Sequence, residues 1–335
     1  MTNRDRIRRV LNFEPVDRLP CLEWAGYWDQ TIERWRGEGL PRELESAFSI
    51  RHQFGLDDLQ QSWLRAIRDE PEVPVPAHHG AGLVKSEAEY EMLLKWLYPE
   101  PVAFNRARIG QWAEGQESGE LAVWITLEGY FWFPRSLLGI EHHLFAFYDQ
   151  PELMHRINED LLEYNLRCVD QFCEICVPDF MTIAEDLSYN HGPMLSKAQF
   201  DEFVGPYYRK LIPEIRDRGI TVMVDTDGDV TELVPWMQEV GVQGFLPLER
   251  MAGVDVNALR EKHPDLRMVG AFDKTVMHLG EDRVRQEFER LLPTMRSGGF
   301  IPSVDHQTPP GVSLDDYELY LQLLREYALK GADVV

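Results

Sequence analysis

The stretch that decides the fold runs Gly219-Ile220-Thr221-Val222-Met223-Val224-Asp225-Thr226-Asp227-Gly228-Asp229. Residues 220–224 are β-branched or apolar, which is typical of a buried strand in a parallel sheet. Three acids follow in close succession: Asp225, Asp227 and Asp229. Because side chains alternate along a strand, Asp225 and Asp227 are expected on one face. Paired carboxylates at the carboxyl end of a buried strand are typical of α/β enzymes.

The turn after this strand also has a simpler interpretation. Gly228 permits a sharp turn, and Asp229 with Glu232 resembles the N-cap of a helix predicted at Val230–Val240. An Asp after a strand is often only a cap or a turn former. That interpretation suits Asp229 well, but it suits Asp225 less well because Asp225 lies before the turn.

Composition limits the protein to a few classes. A chain of 335 residues with 44% apolar residues can form one large α/β barrel or two ordinary domains. The net charge of −23 disfavours nucleic acids and anionic membrane surfaces as partners. The amino terminus is charged, and the most apolar region, 129–147, is interrupted by charged residues, so neither a signal peptide nor a membrane span is expected. Four cysteines suit a reducing compartment, and we predict a cytoplasmic location.

Three of the cysteines lie close together and test the idea of a zinc site. Cys173 and Cys176 form a C-x-x-C pair near Cys168, in a segment that the sequence predicts as a helix over Leu161–Val177. No second pair of Cys or His completes a zinc site. We therefore favour buried helix cysteines.

Eight segments are predicted as strands, and most are followed by a helical pattern. They are Arg18–Trp24, Leu56–Trp63, Leu121–Glu128, Met181–Asp186, Ile220–Val224, Val242–Glu249, Leu266–Asp273 and Phe300–His306. The intervals are long enough for parallel crossovers, which predicts a (β/α)8 TIM barrel with extra amino-terminal helices as a single domain over 1–335. A doubly wound open sheet is the alternative. No G-x-G-x-x-G follows any strand, which weakens the dinucleotide-binding version of that alternative.

The predicted helices and loops complete this pattern. Helices are predicted at Arg4–Leu11 and Thr31–Gly55, and a capping box at Ser196 begins a helix that runs towards Gly219 with bends at Pro206 and Pro213. A last helix spans Ser313–Lys330, and the segment 69–79 is predicted as a surface loop because of its prolines.

Acidic residues end almost every predicted strand, and one His joins them. They are Glu23, Glu128, Glu185, Asp186, Asp225, Asp227, Glu249, Asp273, Asp305 and His306. Carboxylates at one mouth of a barrel repel one another unless they are protonated, paired or bridged by a cation. Three ways of relieving this repulsion stay open: ion pairs with Lys274 or Arg250, a bound divalent metal, or protons held on some carboxyl groups for acid catalysis. Each acid alone is more often a cap or an ion-pair partner, but their convergence indicates an active site.

Several segments resemble the uroporphyrinogen decarboxylase family. The opening Arg6-Ile7-Arg8-Arg9-Val10-Leu11, followed by Asp17-Arg18-Leu19-Pro20, is similar to the family's amino-terminal pattern R-x-x-x-A-L-x-x-x-x-x-D-R-x-P. Further matches occur in the same order along the chain at Glu185-Asp186, 192–196, 225–228, 270–274 and 298–306. The resemblance covers nearly the whole chain and implies a (β/α)8 barrel with its site at the carboxyl ends of the strands.

Two branches of that family differ from this sequence in informative ways. True uroporphyrinogen decarboxylases carry an Arg-rich segment of the form R-Q-A-G-R after the first strand, where this chain has residues 23–29 without an Arg. An acidic porphyrinogen would lose its charge-assisted pairs there. The family's Asp at the end of the second strand is replaced by Ser62 or Trp63.

Cobamide-dependent methyltransferases of the family carry H-x-C and a later Cys as zinc ligands. This chain has Asp225-Thr226-Asp227 and Asp305-His306 in those places, so hard carboxylates replace thiolates, which argues for a harder metal or none.

The resemblance therefore favours a methyltransferase-like enzyme that acts on a small methyl donor or works with a corrinoid partner protein. We predict catalytic roles for Asp225, Asp227, His306 and Glu185, and metal ligation, by Zn or a harder divalent ion, for Asp225, Asp227, Glu249 and His306. Substrate contacts are predicted at Glu23, Trp24, Glu128, Trp132, Asp273 and Lys274. The alternatives are uroporphyrinogen decarboxylation and a non-catalytic tetrapyrrole- or corrinoid-binding barrel.

Aromatic residues crowd the loop predicted after the strand at Leu121–Glu128. Four of them, Tyr130, Phe131, Trp132 and Phe133, follow one another, which is more than a solvated loop needs. We predict that they close over a ligand, with a homodimer contact as the alternative.

Overall fold

A computed structural model describes residues 1–332, and residues 333–335 lie outside that description. Its main sheet contains seven parallel strands in the order β1-β2-β3-β6-β7-β8-β9. These strands are β1 Leu59–Leu64, β2 Ala122–Glu128, β3 Phe180–Ala184, β6 Thr221–Thr226, β7 Gly244–Pro247, β8 Arg267–Phe272 and β9 Phe300–Val304. A separate two-stranded antiparallel pair consists of β4 Ser188–Tyr189 and β5 Gly192–Pro193. The α/β class and seven of the eight predicted strands are confirmed, within a few residues at each end.

The helices flank the strands in alternation. In chain order the α-helices are α1 Asn3–Leu11, α2 Asp29–Glu38, α3 Ala47–Gln53, α4 Glu87–Leu93, α5 Arg106–Glu117, α6 Trp132–Leu138, α7 Ile140–Asp149, α8 Pro151–Cys173, α9 Lys197–Phe203, α10 Gly205–Arg216, α11 Leu233–Glu239, α12 Val256–Lys262, α13 Glu281–Arg296 and α14 Leu314–Ala332. Short 3-10 turns lie at Leu94–Trp96, Arg250–Ala252 and Lys274–Val276. None of the helices in residues 1–332 is both long enough and apolar enough to cross a membrane.

Strand β6 lies in the middle of the sheet, as its sequence indicates. Val222, Met223 and Val224 have no exposed surface, because both faces of a parallel sheet are covered by packed side chains. The register places Asp225 beside Ala184 of β3 and beside Leu246 of β7. The acidic end of β6 is therefore enclosed by neighbouring strands.

The predicted first strand, Arg18–Trp24, is wrong, because this segment forms no strand in the structure. It contains Pro20, which has no backbone N–H for a ladder, and it is held largely by side chains. At one end of the sheet, Cys21 N donates to Asp57 Oδ2 at 2.9 Å, just before β1. At the other end, Val304 N of β9 donates to Glu23 Oε2 at 3.1 Å. One short segment thus reaches both edges of the sheet, so the sheet must curl until its edges approach each other.

Two of the predicted helices differ from the structure. The helix predicted at Thr31–Gly55 is two helices, α2 and α3, with an irregular connection between them. The helix predicted at Val230–Val240 begins only at Leu233 and has no side-chain cap. Asp229 is therefore not an N-cap; its Oδ1 accepts hydrogen bonds from Thr231 N at 2.9 Å and Thr231 Oγ1 at 2.6 Å, which forms an Asx turn.

The capping box predicted at Ser196 is confirmed. Ser196 Oγ accepts from Gln199 N at 3.2 Å, and Gln199 Oε1 accepts from Ser196 N at 2.9 Å. Ser313 and Asp316 exchange the same pair of contacts before α14. The helix that follows Ser196 breaks at Val204 into α9 and α10, with Pro206 in the first turn of α10.

The aromatic run after β2 is mostly core, which contradicts the prediction of a ligand lid or dimer contact for all four residues. Tyr130 and Phe131 have no exposed surface and Phe133 is 1% exposed. Only Trp132 stays partly accessible, at the start of α6. The crowding of aromatic residues reflects packing against neighbouring helices, since Tyr130 contacts two tyrosines of α10 and Phe131 contacts two aromatic rings of α7.

The cysteines are free thiols, as expected. Cys168 is buried in α8, Cys173 is partly buried in the last turn of that helix, and Cys176 is buried just beyond it. Burial raises the pKa of the Cys173 thiol and raises that of the Cys176 thiol to about 12, which disfavours the reactive thiolate form of both.

Candidate active site

A cavity of about 320 Å³ opens at the carboxyl ends of the strands. Its walls come from β1, from the ends of β3 and β6 and the segments that follow them, from the segment after β9 and from the start of α6. Residues 24–26, at the end of the segment Arg18–Trp24 that reaches both edges of the sheet, complete the wall. The lining residues are Trp24, Ala25, Gly26, Gln61, Trp63, Trp132, Ala184, Glu185, Asp186, Asp225, Thr226, Asp227, His306 and Gln307. Four of them carry carboxylates, and none is Lys or Arg.

Asp225 and Asp227 lie together in this cavity, as the alternation along β6 predicts. Burial, and then the carboxylates of Asp227 and Asp186, raise the pKa of Asp225 to about 8. Burial and the carboxylates of Glu249 and Asp186 raise the pKa of Asp227 to about 7, against a small opposing effect of Lys274. The two carboxyl groups therefore hold protons near neutral pH, which is the property that a general acid requires.

His306 lies beside this pair. Its Nε2 is 3.8 Å from Asp227 Oδ2, and its ring meets Trp24 edge to face with centroids 6.0 Å apart. Burial, and then the Lys274 ammonium, lower the pKa of His306, which favours the neutral imidazole. A neutral imidazole next to a protonated carboxyl can accept or relay its proton.

Asp186 is held in place by one arginine. Its Oδ2 accepts from Arg135 Nη2 at 2.9 Å, and its carbonyl accepts from Arg135 Nη1, also at 2.9 Å. The residue has a φ of +43°, which is uncommon for a residue with a side chain. The bidentate guanidinium on α6 stabilises this turn and keeps the Asp186 carboxylate facing the cavity.

Glu185 is fully buried and accepts four hydrogen bonds. The backbone N–H groups of Tyr130, Phe131 and Trp132 donate to its two oxygens at 2.9, 2.8 and 3.2 Å, and Tyr208 Oη donates at 2.6 Å. Burial nevertheless raises its pKa to about 6. These bonds fix the start of α6, and with it Trp132, so Glu185 supports the cavity wall.

Lys274 neutralises a second group of acids beside the cavity. Its Nζ lies 3.4 Å from Glu249 Oε1 and 3.5 Å from Asp305 Oδ1. Glu249 Oε2 also accepts from Gly228 N at 3.1 Å, and Asp305 accepts from Arg250 N at 3.0 Å. Pairing with Lys274 is thus one of the three ways of relieving carboxylate repulsion that the sequence left open, whereas Arg250 contributes only its backbone.

The four predicted metal ligands do not form a metal site in this arrangement. Within the described residues, no three His, Cys, Asp or Glu side chains are arranged so that they could hold a metal ion. Glu249 is engaged by Lys274, and Asp227 Oδ2 lies 3.8 Å from His306 Nε2. The Lys274 ammonium lies between Glu249 and Asp305.

Glu23 and Trp24 attach the segment Arg18–Trp24 to β9. Glu23 is 3% exposed and accepts from Ser303 Oγ at 2.5 Å and from Val304 N. Trp24 Nε1 donates to Val304 O at 2.8 Å. Glu23 is therefore a structural carboxylate outside the cavity, whereas the ring of Trp24 lines it.

Glu128 lies at the end of β2, behind two of the cavity's tryptophans. It is 4% exposed, and its Oε2 has no hydrogen-bond partner. Burial raises the pKa of Glu128 to about 7, and the effects that oppose the shift come from Arg65, Trp132 and Trp63, in that order. Arg65 Nη1 is 3.9 Å away, and its guanidinium lies over the Trp63 ring at 3.8 Å from the centroid.

Comparison with known families identifies the chain. The model of the family "Uroporphyrinogen decarboxylase (URO-D)" matches residues 123–327, which is more than half of the sequence. The chain belongs to the uroporphyrinogen decarboxylase family. None of the curated proteins compared with the chain matches it.

Two of the solved structures that match this chain are distant likenesses. A Listeria monocytogenes protein, described as a candidate vitamin-B12-independent methionine synthase, is 11% identical, covers 95% of this chain and 98% of its own, and gives a TM-score of 0.46. An endo-1,4-β-xylanase of Penicillium canescens is 11% identical, covers 73% of this chain and 82% of its own, and gives a TM-score of 0.36. Likenesses this distant bear neither on substrate nor on mechanism.

The cavity thus contains only some of the predicted site residues. The cavity brings together Trp24, Trp132, Glu185, Asp225, Asp227 and His306. Glu23, Glu128, Glu249 and Lys274 lie next to it. Asp273 does not reach it; its Oδ1 accepts from Thr275 N at 2.9 Å and so caps the 3-10 turn.

Sequence reasoning missed Gln61 and the roles of two arginines. Gln61 lines the cavity, and its Nε2 donates to Thr126 Oγ1 at 2.8 Å. Arg135 fixes Asp186, and Arg51 Nη2 donates to Ala25 O at 2.6 Å, which fixes the cavity wall next to Trp24. The polar run Gln60-Gln61-Ser62 within strand β1 was the one available signal.

Proposed function

We propose that this member of the uroporphyrinogen decarboxylase family is a methyltransferase-like enzyme that acts on a small, neutral or positively charged methylated substrate. The observation that carries the proposal is the lining of the cavity, where four carboxylates stand without any Lys or Arg among the described lining residues. A substrate that brings carboxylates of its own would meet repulsion there and no guanidinium to pair with.

This lining argues against the decarboxylase alternative. Uroporphyrinogen carries many carboxylates on a large macrocycle. The cavity volume of about 320 Å³ is at the lower end of the range of about 300–1,000 Å³ that is usual for ligand pockets. Both size and charge therefore favour a small substrate.

The proton chemistry follows from Asp225, Asp227 and His306. When a methyl group leaves its donor atom, that atom keeps the bonding electron pair and takes up a proton. Asp225, with a pKa of about 8, carries a proton at neutral pH in the substrate-free protein and faces the cavity. The contact of 3.8 Å between Asp227 and His306 offers a route by which the proton is replaced from solvent.

The methyl acceptor would be a corrinoid carried by a partner protein, as the family resemblance suggests. The cavity has room for a small donor alone, so the corrinoid would stay on its own protein outside the cavity. The residues of this chain hold the donor, exclude part of its water shell and supply the proton.

Turnover with free cob(I)alamin as acceptor tests the proposal. The purified protein is incubated with methanol, dimethyl sulfide, trimethylamine or tetramethylammonium, and methylcobalamin is followed by its absorbance. We expect turnover of at least one donor, and a loss of about 100-fold or more for Asp225→Asn. Asp229→Asn is the matched control, because that residue only closes a turn with Thr231.

Two outcomes would contradict the proposal. Conversion of uroporphyrinogen to coproporphyrinogen, with release of carbon dioxide, would favour the decarboxylase. Tight binding of a tetrapyrrole or corrinoid without turnover of any donor would favour the non-catalytic barrel.

A further inference from the structure

Three of the chain's nine tryptophans line the cavity. The polar edge of Trp24 is already used, because its Nε1 donates to Val304 O. What this indole offers to a ligand is its aromatic ring. Trp63 and Trp132 contribute two further rings from different parts of the chain, on β1 and at the start of α6.

The indole rings of Trp63 and Trp132 each already lie close to an arginine side chain of this protein. The Arg65 guanidinium lies 3.8 Å from the centroid of Trp63, and the Arg135 guanidinium lies 5.1 Å from that of Trp132. Neither arginine belongs to the cavity lining. Indole rings attract cations through the negative potential of their faces, and Trp does so best among the aromatic residues.

Asp225 and Asp227 form no ion pair with a Lys or Arg among the described residues. The charged groups that act on Asp225 are Asp227 and Asp186, and no hydrogen bond or cation offsets them. Asp186 is paired with Arg135, but that pair leaves Asp225 and Asp227 without a cation of their own. Glu128, buried behind Trp63 and Trp132, adds a further acidic group on the same side.

We propose that the cavity binds a small organic ammonium ion that carries methyl groups, held between the rings of Trp24, Trp63 and Trp132 and the carboxylates of Asp225 and Asp227. This inference rests on the proposed function, since it names the substrate class of the same cavity. Methyl groups on the nitrogen fit the aromatic walls. The positive charge lowers the pKa of Asp225 and of Asp227, so carboxyl groups that hold protons in the empty cavity ionise when the cation binds.

Other cations fit less well. A metal ion lacks a set of three ligands among residues 1–332. A primary ammonium would be served by the carboxylates alone and would gain little from three indole rings. A methylated ammonium cannot donate hydrogen bonds from every position, so its favourable contacts are ring faces and diffuse negative charge, and this cavity offers both.

Calorimetric titration with a matched pair of ligands tests the inference. Choline and its neutral isostere 3,3-dimethyl-1-butanol have nearly the same shape, so their difference in affinity measures the contribution of charge. We expect choline to bind at least about tenfold more tightly. Tetramethylammonium is expected to bind as well, and added salt should weaken both cations but not the alcohol.

Variants separate the two parts of the site. Trp63→Leu and Asp225→Asn should each reduce the preference for choline over the alcohol, and Trp63→Phe should retain much of it. Trp28→Leu is the matched control, because Trp28 is 43% exposed and does not line the cavity. Since the measured quantity is a ratio of two affinities on one protein, a partly unfolded variant does not imitate the expected result.

The outcomes also distinguish this inference from the proposed function. Equal or tighter binding of the alcohol, or no binding of either ligand, overturns the ammonium site, while turnover of methanol or dimethyl sulfide would leave the methyltransferase proposal standing. Selective choline binding without methyl transfer from any donor supports the ammonium site and overturns the methyltransferase proposal.

Discussion

Replacing Glu128 by Gln is expected to stabilise the protein above neutral pH and to change it much less in acid. Glu128 is 4% exposed, and one of its oxygens has no hydrogen-bond partner. The nearest cation to Glu128 is Arg65, at 3.9 Å. The Arg65 side chain is 57% exposed, so water screens much of the attraction between the two charges. The charged form of Glu128 is thus buried without adequate compensation, and the amide removes the charge while keeping the shape.

The size of the effect follows from the pKa of Glu128. A carboxyl group with a pKa of about 7 in the folded chain and an ordinary value of 4.5 in the unfolded chain weakens the folded state by about 3 kcal/mol once the pH exceeds both values. Because the folded state binds more protons between these values, the free energy of unfolding falls as the pH rises through them. Between about pH 5.5 and about pH 8.5, the advantage of the variant should grow by about 2 kcal/mol.

Urea denaturation of both proteins at these two pH values measures this change. Glu185→Gln is the matched control, since Glu185 accepts four hydrogen bonds and an amide would turn a donor towards some of those N–H groups. That variant should lose stability at both pH values. A constant difference between Glu128→Gln and the natural protein across the pH range would refute the reasoning.

Two further substitutions test the packing and charge around the cavity. Gly129→Ala should destabilise the folded protein by about 3 kcal/mol, as measured by urea denaturation. The new Cβ would overlap the Ala184 carbonyl and the Glu185 carboxyl, neither of which can move aside easily. A loss of stability below about 1 kcal/mol would mean that the backbone relaxes there. Lys274→Met leaves Asp305, which has no exposed surface, without its cation at 3.5 Å. The free energy of unfolding of Lys274→Met should be about 3 kcal/mol lower than that of the natural protein above neutral pH, and the difference should shrink in acid. The reason is that the pKa of Asp305, already raised to about 6 by burial, rises further when the ammonium is absent. A difference that is independent of pH would contradict this assignment.

The order and the ends of the strands could be predicted because they depend on local signals. Continuous apolar runs such as residues 220–224 exist only where both faces of a strand are covered, and the structure has a buried strand there. The exception was Arg18–Trp24, which is apolar enough for a strand but is held at one edge of the sheet by the Asp57 side chain and at the other by a bond from Val304 N of β9 to its own Glu23. Nothing in the segment itself indicates those distant partners.

The convergence of acids was predictable, but their separate roles were not. The sequence could not assign Glu185 to four donors, because three of them come from the backbone of residues 130–132, whose burial depends on the packing of α6. It also could not show that Asp273 caps its own turn and thereby leaves the site. These assignments depend on contacts between residues far apart in the chain.

The distribution of donors decides which carboxylates are left for chemistry. Asp305 and Glu249 are satisfied by backbone N–H groups and by Lys274, Glu185 by α6 and Tyr208, and Asp186 by Arg135. Asp225 receives none of these donors, although it stands in the middle of the sheet. A partly buried carboxylate without a hydrogen-bond partner weakens the fold, so it persists best where a ligand or a proton compensates it during function. That argument selects Asp225, rather than the more heavily bonded acids around it, as the group through which the cavity recognises and transforms its substrate.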